Sequence, residues 1–168
     1  KTYVIPLVMN NVHNADNILK GTQFIEGVSR TNPEGWDVLP KDYILYAVKF
    51  VNPWDAKYLR RGVDQVTQNG TTTTNVRHAA SVEKDEIVDV TTASLKTAVL
   101  KVGPDASMLC DLHLNFNDKN ECTITSGTEG FKASGSGKFV SNGEKNSWGN
   151  KDRSAIYLEY TVDFGTMQ

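Results

Sequence analysis

The chain has 168 residues, of which 39% are apolar and 23% are charged, and its formal net charge is −2. With a mean hydropathy of −0.41, this composition is typical of a soluble globular protein and excludes a disordered chain. No stretch approaches the roughly 18–20 apolar residues that a membrane-spanning helix needs. The 18 basic and 20 acidic residues are interspersed without a basic stripe, so we expect no nucleic-acid partner.

The first part of the chain predicts strands and loops without a long helix. Residues 3–8 alternate in the manner of a strand, and Pro6 makes it an edge or bulged strand because proline cannot donate to a ladder. Residues 43–51 are apolar on both faces, which indicates a central strand covered on both sides. A polar segment with four consecutive threonines follows and reads as a linker or exposed hairpin. We therefore place a domain boundary within residues 62–76, between modules over residues 1–62 and 63–168.

The second part predicts a series of antiparallel strands. Turn residues separate short runs that alternate between apolar and polar side chains, and these runs cover residues 82–92, 94–102, 107–125 (a hairpin), 131–140 and 155–164. Gly135 and Gly137 lie inside one run, which fits a strand that bends as a sheet curls towards closure. The prediction is an all-β meander that closes as a lipocalin-like barrel or folds as a sandwich.

The two cysteines belong to the apolar faces of one predicted hairpin. Cys110 alternates with polar neighbours in the first strand, and Cys122 does so in the second. If the turn is centred on residues 117–120, Cys110 faces a residue several places beyond Cys122. A disulfide needs Cα atoms within about 7 Å, so we predict two free, buried thiols.

No arrangement of residues points to catalysis or to metal binding. Three histidines lack a second histidine at metal-binding spacing and are interpreted as surface residues: His13, His78 and His113. Acid–base chemistry needs two carboxylates held together in a cleft, whereas the acidic cluster at a predicted strand entrance reads as solvated: Asp85, Glu86 and Asp89. Nucleophile-elbow, phosphate-loop and dinucleotide motifs are absent from the sequence. We predict a protein that is not an enzyme and that has no cofactor.

Four aromatic residues lie outside the alternating strand cores, in loops rich in amides and charges: Trp36, Trp54, Tyr58 and Trp148. A flat ring beside planar polar groups suits a sugar, because the ring covers the C–H face while the polar groups bind hydroxyls. The alternative is that these rings plug the barrel ends or the seam between modules. Trp148 is the strongest ligand candidate because six polar residues surround it in the sequence: Asn146, Ser147, Asn150, Lys151, Asp152 and Arg153. We also expect Asp152 and Arg153 to pair with each other.

Several stretches carry a resemblance to a known group of proteins. Residues 39–54, followed by residues 58–62, are similar to a signature of Bacteroides-type surface lipoproteins, which are often encoded beside SusC/SusD-like glycan importers. Residues 3–7 and 16–19 resemble the closing strands of the N-terminal β-sandwich module of those proteins. Residues 135–158 resemble their C-terminal β-barrel module. The resemblance implies the end of a sandwich followed by a barrel-like module, but it carries over no ligand residue.

Two functional hypotheses follow. The first is a non-catalytic module on the bacterial cell surface that binds polysaccharide, with SusC/SusD-like importer components as partners by resemblance. The second is a structural or adhesin-type module that binds protein within a surface lipoprotein, and an enzyme accessory domain ranks third. Both ends of the chain read as cuts through a longer protein. Any targeting signal or lipid anchor to the outer membrane is therefore expected outside this chain.

Overall fold

The computed structural model describes residues 2–17 and 20–165. Two residues of the segment 16–19, on which part of the resemblance rests, lie outside the described residues. The chain divides into two compact units, Lys1–Phe50 and Val51–Gln168. In the described residues each unit contains strands and one 3₁₀ turn, and neither unit contains an α-helix.

The division between the units falls earlier than the predicted boundary within residues 62–76. The segment after residue 50 is tied to the second unit by Asn52, whose side-chain amide donates to the carbonyls of Ser94 and Thr97 at 3.1 and 3.0 Å. Trp54 also lies in the core of that unit. These contacts explain why the second unit starts before the polar threonine-rich segment.

The first unit contains two small antiparallel sheets. Strand β1 (Thr2–Val8) pairs with β4 (Tyr43–Lys49), and β2 (Thr22–Gln23) pairs with β3 (Trp36–Val38). A 3₁₀ turn over Pro33–Gly35 precedes β3. Arg30 braces the loops because its Nη1 lies 2.6 Å from Oδ1 of Asp42, whose side chain is nearly buried.

The prediction that residues 43–51 form a central, doubly covered strand is wrong for this chain. Ile44 is 62% exposed and Phe50 is 70% exposed, and most residues of both β1 and β4 are exposed as well. The β1–β4 ladder has only two strands, and the described residues of this unit supply no second layer over either face. The apolar pattern therefore marks surface that requires a cover, which this unit does not provide.

The second unit is built on a seven-stranded antiparallel sheet in the order β13-β12-β11-β10-β9-β8-β5. Its strands are β5 (Ala56–Arg60), β8 (Glu86–Thr92), β9 (Thr97–Asp105), β10 (Met108–Phe116), β11 (Glu121–Ser126), β12 (Lys132–Glu144) and β13 (Arg153–Asp163). The sheet is nearly closed into a barrel, because Arg60 on one edge strand donates to the hydroxyl of Tyr160 on the other at 3.2 Å. The predicted all-β, barrel-like fold is confirmed.

An exposed hairpin occupies the threonine-rich segment. Strands β6 (Gly62–Gln68) and β7 (Thr71–Arg77) pair through a turn at Asn69 and Gly70, which both have positive φ. Arg77 joins the hairpin to the barrel because it pairs with Asp64 and also lies 3.1 Å from Glu86 at the start of β8. A 3₁₀ turn over Val82–Lys84 then leads into β8, where the sequence predicted strand from residue 82.

The barrel core follows from the alternation in the sequence. Inward-facing residues of β8 to β11 make one apolar cluster with Trp54: Val90, Ala98, Leu100, Val102, Cys110, Leu112, Leu114, Phe116, Cys122 and Ile124. Trp54 stacks on Phe116 with ring centroids 3.9 Å apart. Burial of this apolar surface is the main stabilising contribution to the unit.

Both cysteines are free and buried, as predicted. Phe116 lies opposite Cys122 and Leu112 lies opposite Ser126, so the register carries Cys110 well past Cys122. Burial raises the pKa of the Cys122 thiol to about 11.

We therefore expect a thiol reagent at pH 8 to leave both cysteines of the native protein unmodified for hours. Two effects combine, because both sulfurs are buried and a thiol whose pKa is near 11 is ionised in only about one molecule in a thousand at that pH. Colorimetric titration in guanidinium should then reveal two thiols. Rapid modification of the native protein, or fewer than two thiols after unfolding without reductant, would contradict the structure.

Candidate functional site

The loop between β12 and β13, residues 145–152, is a rigid turn built on residues that tolerate left-handed backbone. Asn146, Gly149 and Asn150 all have positive φ, between 48° and 70°. Backbone hydrogen bonds of 2.9 Å from Ser147 to Lys151 and from Asn150 to Ser147 close the loop on itself. Asparagine and glycine adopt this conformation at low cost, so the sequence permits the turn that these hydrogen bonds close.

Trp148 stands exposed on this loop. Its side chain is 49% exposed, so it does not plug the barrel. Arg153, the first residue of β13, lies with its guanidinium carbon 4.9 Å from the centre of the indole. Arg153 Nε also donates to the Trp148 carbonyl at 3.0 Å, which anchors the Arg153 side chain to the backbone of the loop. The arrangement is a pre-positioned aromatic surface with a cation beside it.

The predicted pair between Asp152 and Arg153 is wrong. Asp152 instead accepts from Lys145 Nζ at 2.8 Å and from the backbone N–H of Asn146 at 3.1 Å. Side chains of consecutive residues in extended backbone point to opposite sides, so Asp152 turns into the loop while Arg153 turns over Trp148. The hydrogen bond from Lys145, followed by that from Asn146, holds the pKa of Asp152 below its usual value.

The other aromatic candidates do not join this loop. Trp54 is 6% exposed and lies in the core, where its Nε1 has no hydrogen-bond partner among the described residues. Tyr58 is half-buried against the same core and donates to the Trp54 carbonyl at 3.2 Å. Burial raises the pKa of its phenol. Both residues thus follow the alternative interpretation, in which the rings fill the barrel.

Trp36 belongs to the first unit. Its indole Nε1 donates to the carbonyl of Ser29 at 3.1 Å, so the side chain secures the loop that precedes β3. The structure therefore brings Arg153 against Trp148, and it joins Asn146 to Asp152 within the same loop. Asn150 shapes the same loop through its backbone.

A groove that the sequence analysis missed crosses the outer face of β10, β11, β12 and β13. It has a volume of about 870 Å³. The floor is the backbone of one row of paired residues whose side chains point inward: Phe116, Cys122, Gly137 and Leu158. Outward-pointing side chains of the two neighbouring rows form its sides. One side carries Asn117, Glu121, Lys138 and Tyr157, and the other carries Asn115, Thr123, Ser136 and Glu159.

A second, smaller concavity of about 340 Å³ continues the groove along β12 and β13. It shares Ser136 and Glu159 with the first and adds Ser134 and Thr161 on the same outer face. The residue types were visible in the sequence as the polar half of each alternating run. Their assembly depends on the register of four strands, which the sequence does not show.

Among residues 2–17 and 20–165, no group of three or more His, Cys, Asp or Glu residues is arranged to hold a metal ion. The same residues contain no helix of the length and apolar character that a bilayer crossing requires.

The fold and the loop together define a nearly closed antiparallel β-barrel module that presents an ordered aromatic side chain at its surface. Residues 53–168 match the family described as Domain of unknown function (DUF5627), and the chain belongs to that family. The match begins two residues after the start of the second unit, so the family domain corresponds to the barrel.

One solved structure is similar over nearly the whole chain. It is a crystal structure of a structural-genomics protein of unknown function from Bacteroides ovatus, with 48% sequence identity and a TM-score of 0.79. The similarity covers 96% of this chain and 53% of that protein, so the chain spans about half the length of its relative. Among curated proteins none matches this sequence significantly.

Proposed function

We propose that this protein is a non-catalytic module of the bacterial cell surface that binds polysaccharide for a Sus-like uptake system. The observation that carries the proposal is Trp148, which is exposed and held by Arg153 on a loop of fixed backbone. An indole presented in this way offers a flat apolar surface at little entropic cost, because its position is set before a ligand arrives. Asn146 and Asp152 belong to the same loop, where the Asp152 carboxylate accepts from the backbone N–H of Asn146 at 3.1 Å.

The protonation state of Asp152 argues against its acting as the acid of a glycoside hydrolase. A hydrolase needs one carboxyl group that holds a proton near neutral pH, which requires a raised pKa. Two carboxylates stand four residues from Trp148 in the sequence, Glu144 and Asp152. Glu144 accepts a hydrogen bond from the Tyr157 phenol at 2.7 Å. The pKa of Asp152 is lowered by Lys145 and Asn146, so Asp152 is ionised and paired at pH 7 and is not suited to proton donation.

The partners and location belong to the proposal through the resemblance. They are SusC/SusD-like importer components, and attachment to the outer membrane through a lipid anchor outside this chain. The similarity to a protein of Bacteroides ovatus supports the Bacteroides part of this proposal.

Replacing Trp148 by alanine is expected to weaken polysaccharide binding at least about 10-fold, which corresponds to about 1.4 kcal/mol. Affinity electrophoresis through gels that contain single polysaccharides measures this change. Phe24→Ala is the matched control, since it removes an exposed aromatic ring from the first unit. Wild-type affinity in a Trp148→Ala variant with an unchanged circular dichroism spectrum would remove this loop from the site.

A structural or adhesin-type module that binds protein is the second candidate. The specific observation in its favour is the exposed apolar ladder of β1 and β4, since exposed apolar surface of this extent commonly marks a protein interface. The two candidate functions predict that binding is lost on substitution of different residues. Polysaccharide binding depends on Trp148, whereas protein binding through the ladder depends on residues such as Ile44.

A further inference from the structure

We propose that the groove across β10 to β13 is a second binding surface on the barrel, and that it holds a neutral polysaccharide chain laid across the strands. This inference rests on the proposed function and names the class of glycan and the surface that binds it. The groove and the smaller concavity beside it make one continuous depression on the outer face.

The dimensions of the groove suit an extended chain rather than a compact ligand. Adjacent strands are about 4.8 Å apart, so the four strands give a length of roughly 14 Å. The two flanking rows stand two residues apart along each strand, which gives a width of roughly 7 Å.

The chemistry of the sides favours sugar hydroxyls. Hydroxyl side chains of Thr123, Ser134, Ser136 and Thr161 point outward, and within the described residues none of these four hydroxyls makes a side-chain hydrogen bond. In the free protein they bind water, so exchange for a sugar hydroxyl conserves the number of hydrogen bonds. A hydroxyl-lined surface of this kind discriminates poorly between small ligands but accumulates contacts along a polymer.

The charges in the groove indicate a neutral glycan. Glu121 and Glu159 contribute two negative charges and Lys138 contributes one positive charge. A surface with this balance has no excess of cations to attract uronic acid or sulfate groups. Lys138 lies directly opposite Glu121 in the register, which offsets their charges locally.

Tyr157 supplies a fixed aromatic ring at the end of one side. Its phenol donates to Glu144 Oε1 at 2.7 Å, so the ring is oriented before binding. Arg153, which lies against Trp148, is on the same face of β13 and four residues from Tyr157, a distance of roughly 13 Å along the strand. The groove and the Trp148 loop therefore share the outer face of β13, so a single polysaccharide chain can contact both.

The test uses affinity electrophoresis of the full chain with neutral polysaccharides (starch, xylan and mannan) and with acidic polygalacturonate. Thr123→Phe fills the groove with a bulky ring. Thr91→Phe is the matched control, because Thr91 is an exposed threonine of the same sheet on β8, outside the groove. Tyr157→Ala removes the ring without filling the groove, and thermal melts verify that each variant is folded.

We expect at least one neutral polysaccharide to retard the wild-type protein in the gel. Thr123→Phe and Tyr157→Ala should each bind it at least about 10-fold more weakly. Thr91→Phe should bind it as tightly as the wild type does. Wild-type affinity in folded Thr123→Phe and Tyr157→Ala, with binding lost in Trp148→Ala, overturns the groove and leaves the proposed function intact. Preference for polygalacturonate overturns the neutral class. Retardation by none of the polysaccharides overturns the proposed function and this inference with it.

Discussion

Replacing Leu114 by alanine is expected to cost about 2–5 kcal/mol of the free energy of unfolding of the barrel unit. Leu114 is fully buried in the second half of β10, where it lies opposite Ala98 on β9 and Ile124 on β11. The change removes buried methyl groups and leaves a cavity that neighbours on three paired strands cannot collapse to fill. Denaturant titration followed by tryptophan fluorescence measures the loss, because Trp54 stacks on Phe116 in the same core.

Leu95→Ala is the matched control for this prediction. Leu95 is 81% exposed in the turn between β8 and β9, so the same chemical change should alter the free energy of unfolding by less than about 0.5 kcal/mol. Equal effects of the two substitutions would show that β10 does not form the centre of the core.

Gly137→Ala is expected to destabilise the barrel by about 1–3 kcal/mol, although alanine is ordinarily favoured over glycine in a strand. A Cβ at this position would lie 2.5 Å from Leu158 Cδ2, 2.5 Å from the backbone oxygen of Tyr157 and 3.0 Å from Cys122 Sγ. The backbone oxygen cannot move without disturbing the ladder between β12 and β13. The same denaturant titration measures the effect.

Gly62→Ala supplies the comparison. A Cβ at Gly62 would meet nothing within 4 Å, so alanine there should leave the protein unchanged or about 0.4–1 kcal/mol more stable through the unfolded state. A Gly137→Ala variant as stable as the wild type would show that β13 lies further from β12 than the structure places it.

The barrel strands were predictable because the alternation of apolar and polar residues is a local property of each segment of the sequence. Alternation in β10 and β11 assigns Cys110, Leu114 and Ile124 to one face without knowledge of any partner strand, and the structure buries all three. From the two glycines of β12 we expected a bend, and at Gly137 the structure shows a close approach of the neighbouring strand. The backbone of β13 and the side chain of Leu158 occupy the space that a Cβ at Gly137 would need.

In the first unit, the apolar pattern of the sequence did not predict burial correctly. Residues 43–51 are apolar on both faces, and from this pattern we expected a buried strand. The pattern records which surface needs a cover but not whether this chain contains the cover. In the described residues β4 has β1 as its one partner strand, and Ile44 and Phe50 remain exposed.

Part of the site was predictable in the same sense. Trp148 stood out because a loop of asparagine, glycine and charged residues surrounds it, and the structure leaves it exposed. Trp54 looked similar in sequence but lies in the core, because its neighbour Asn52 anchors the segment against β8 and β9. The groove was not predictable, since its sides are assembled from four strands whose register only the folded sheet fixes.

The exposed ladder of β1 and β4 also has a thermodynamic consequence. Two paired strands on their own are at most marginally stable in water, because the apolar area that they bury does not offset the entropy lost on ordering them. A molecule or segment that covers the apolar faces of β1 and β4 binds the ordered ladder in preference to the unfolded one. Its binding free energy then becomes folding free energy for the first unit. The stability of this part of the protein is therefore a function of the concentration and affinity of whatever covers it, whereas the barrel carries its own stability.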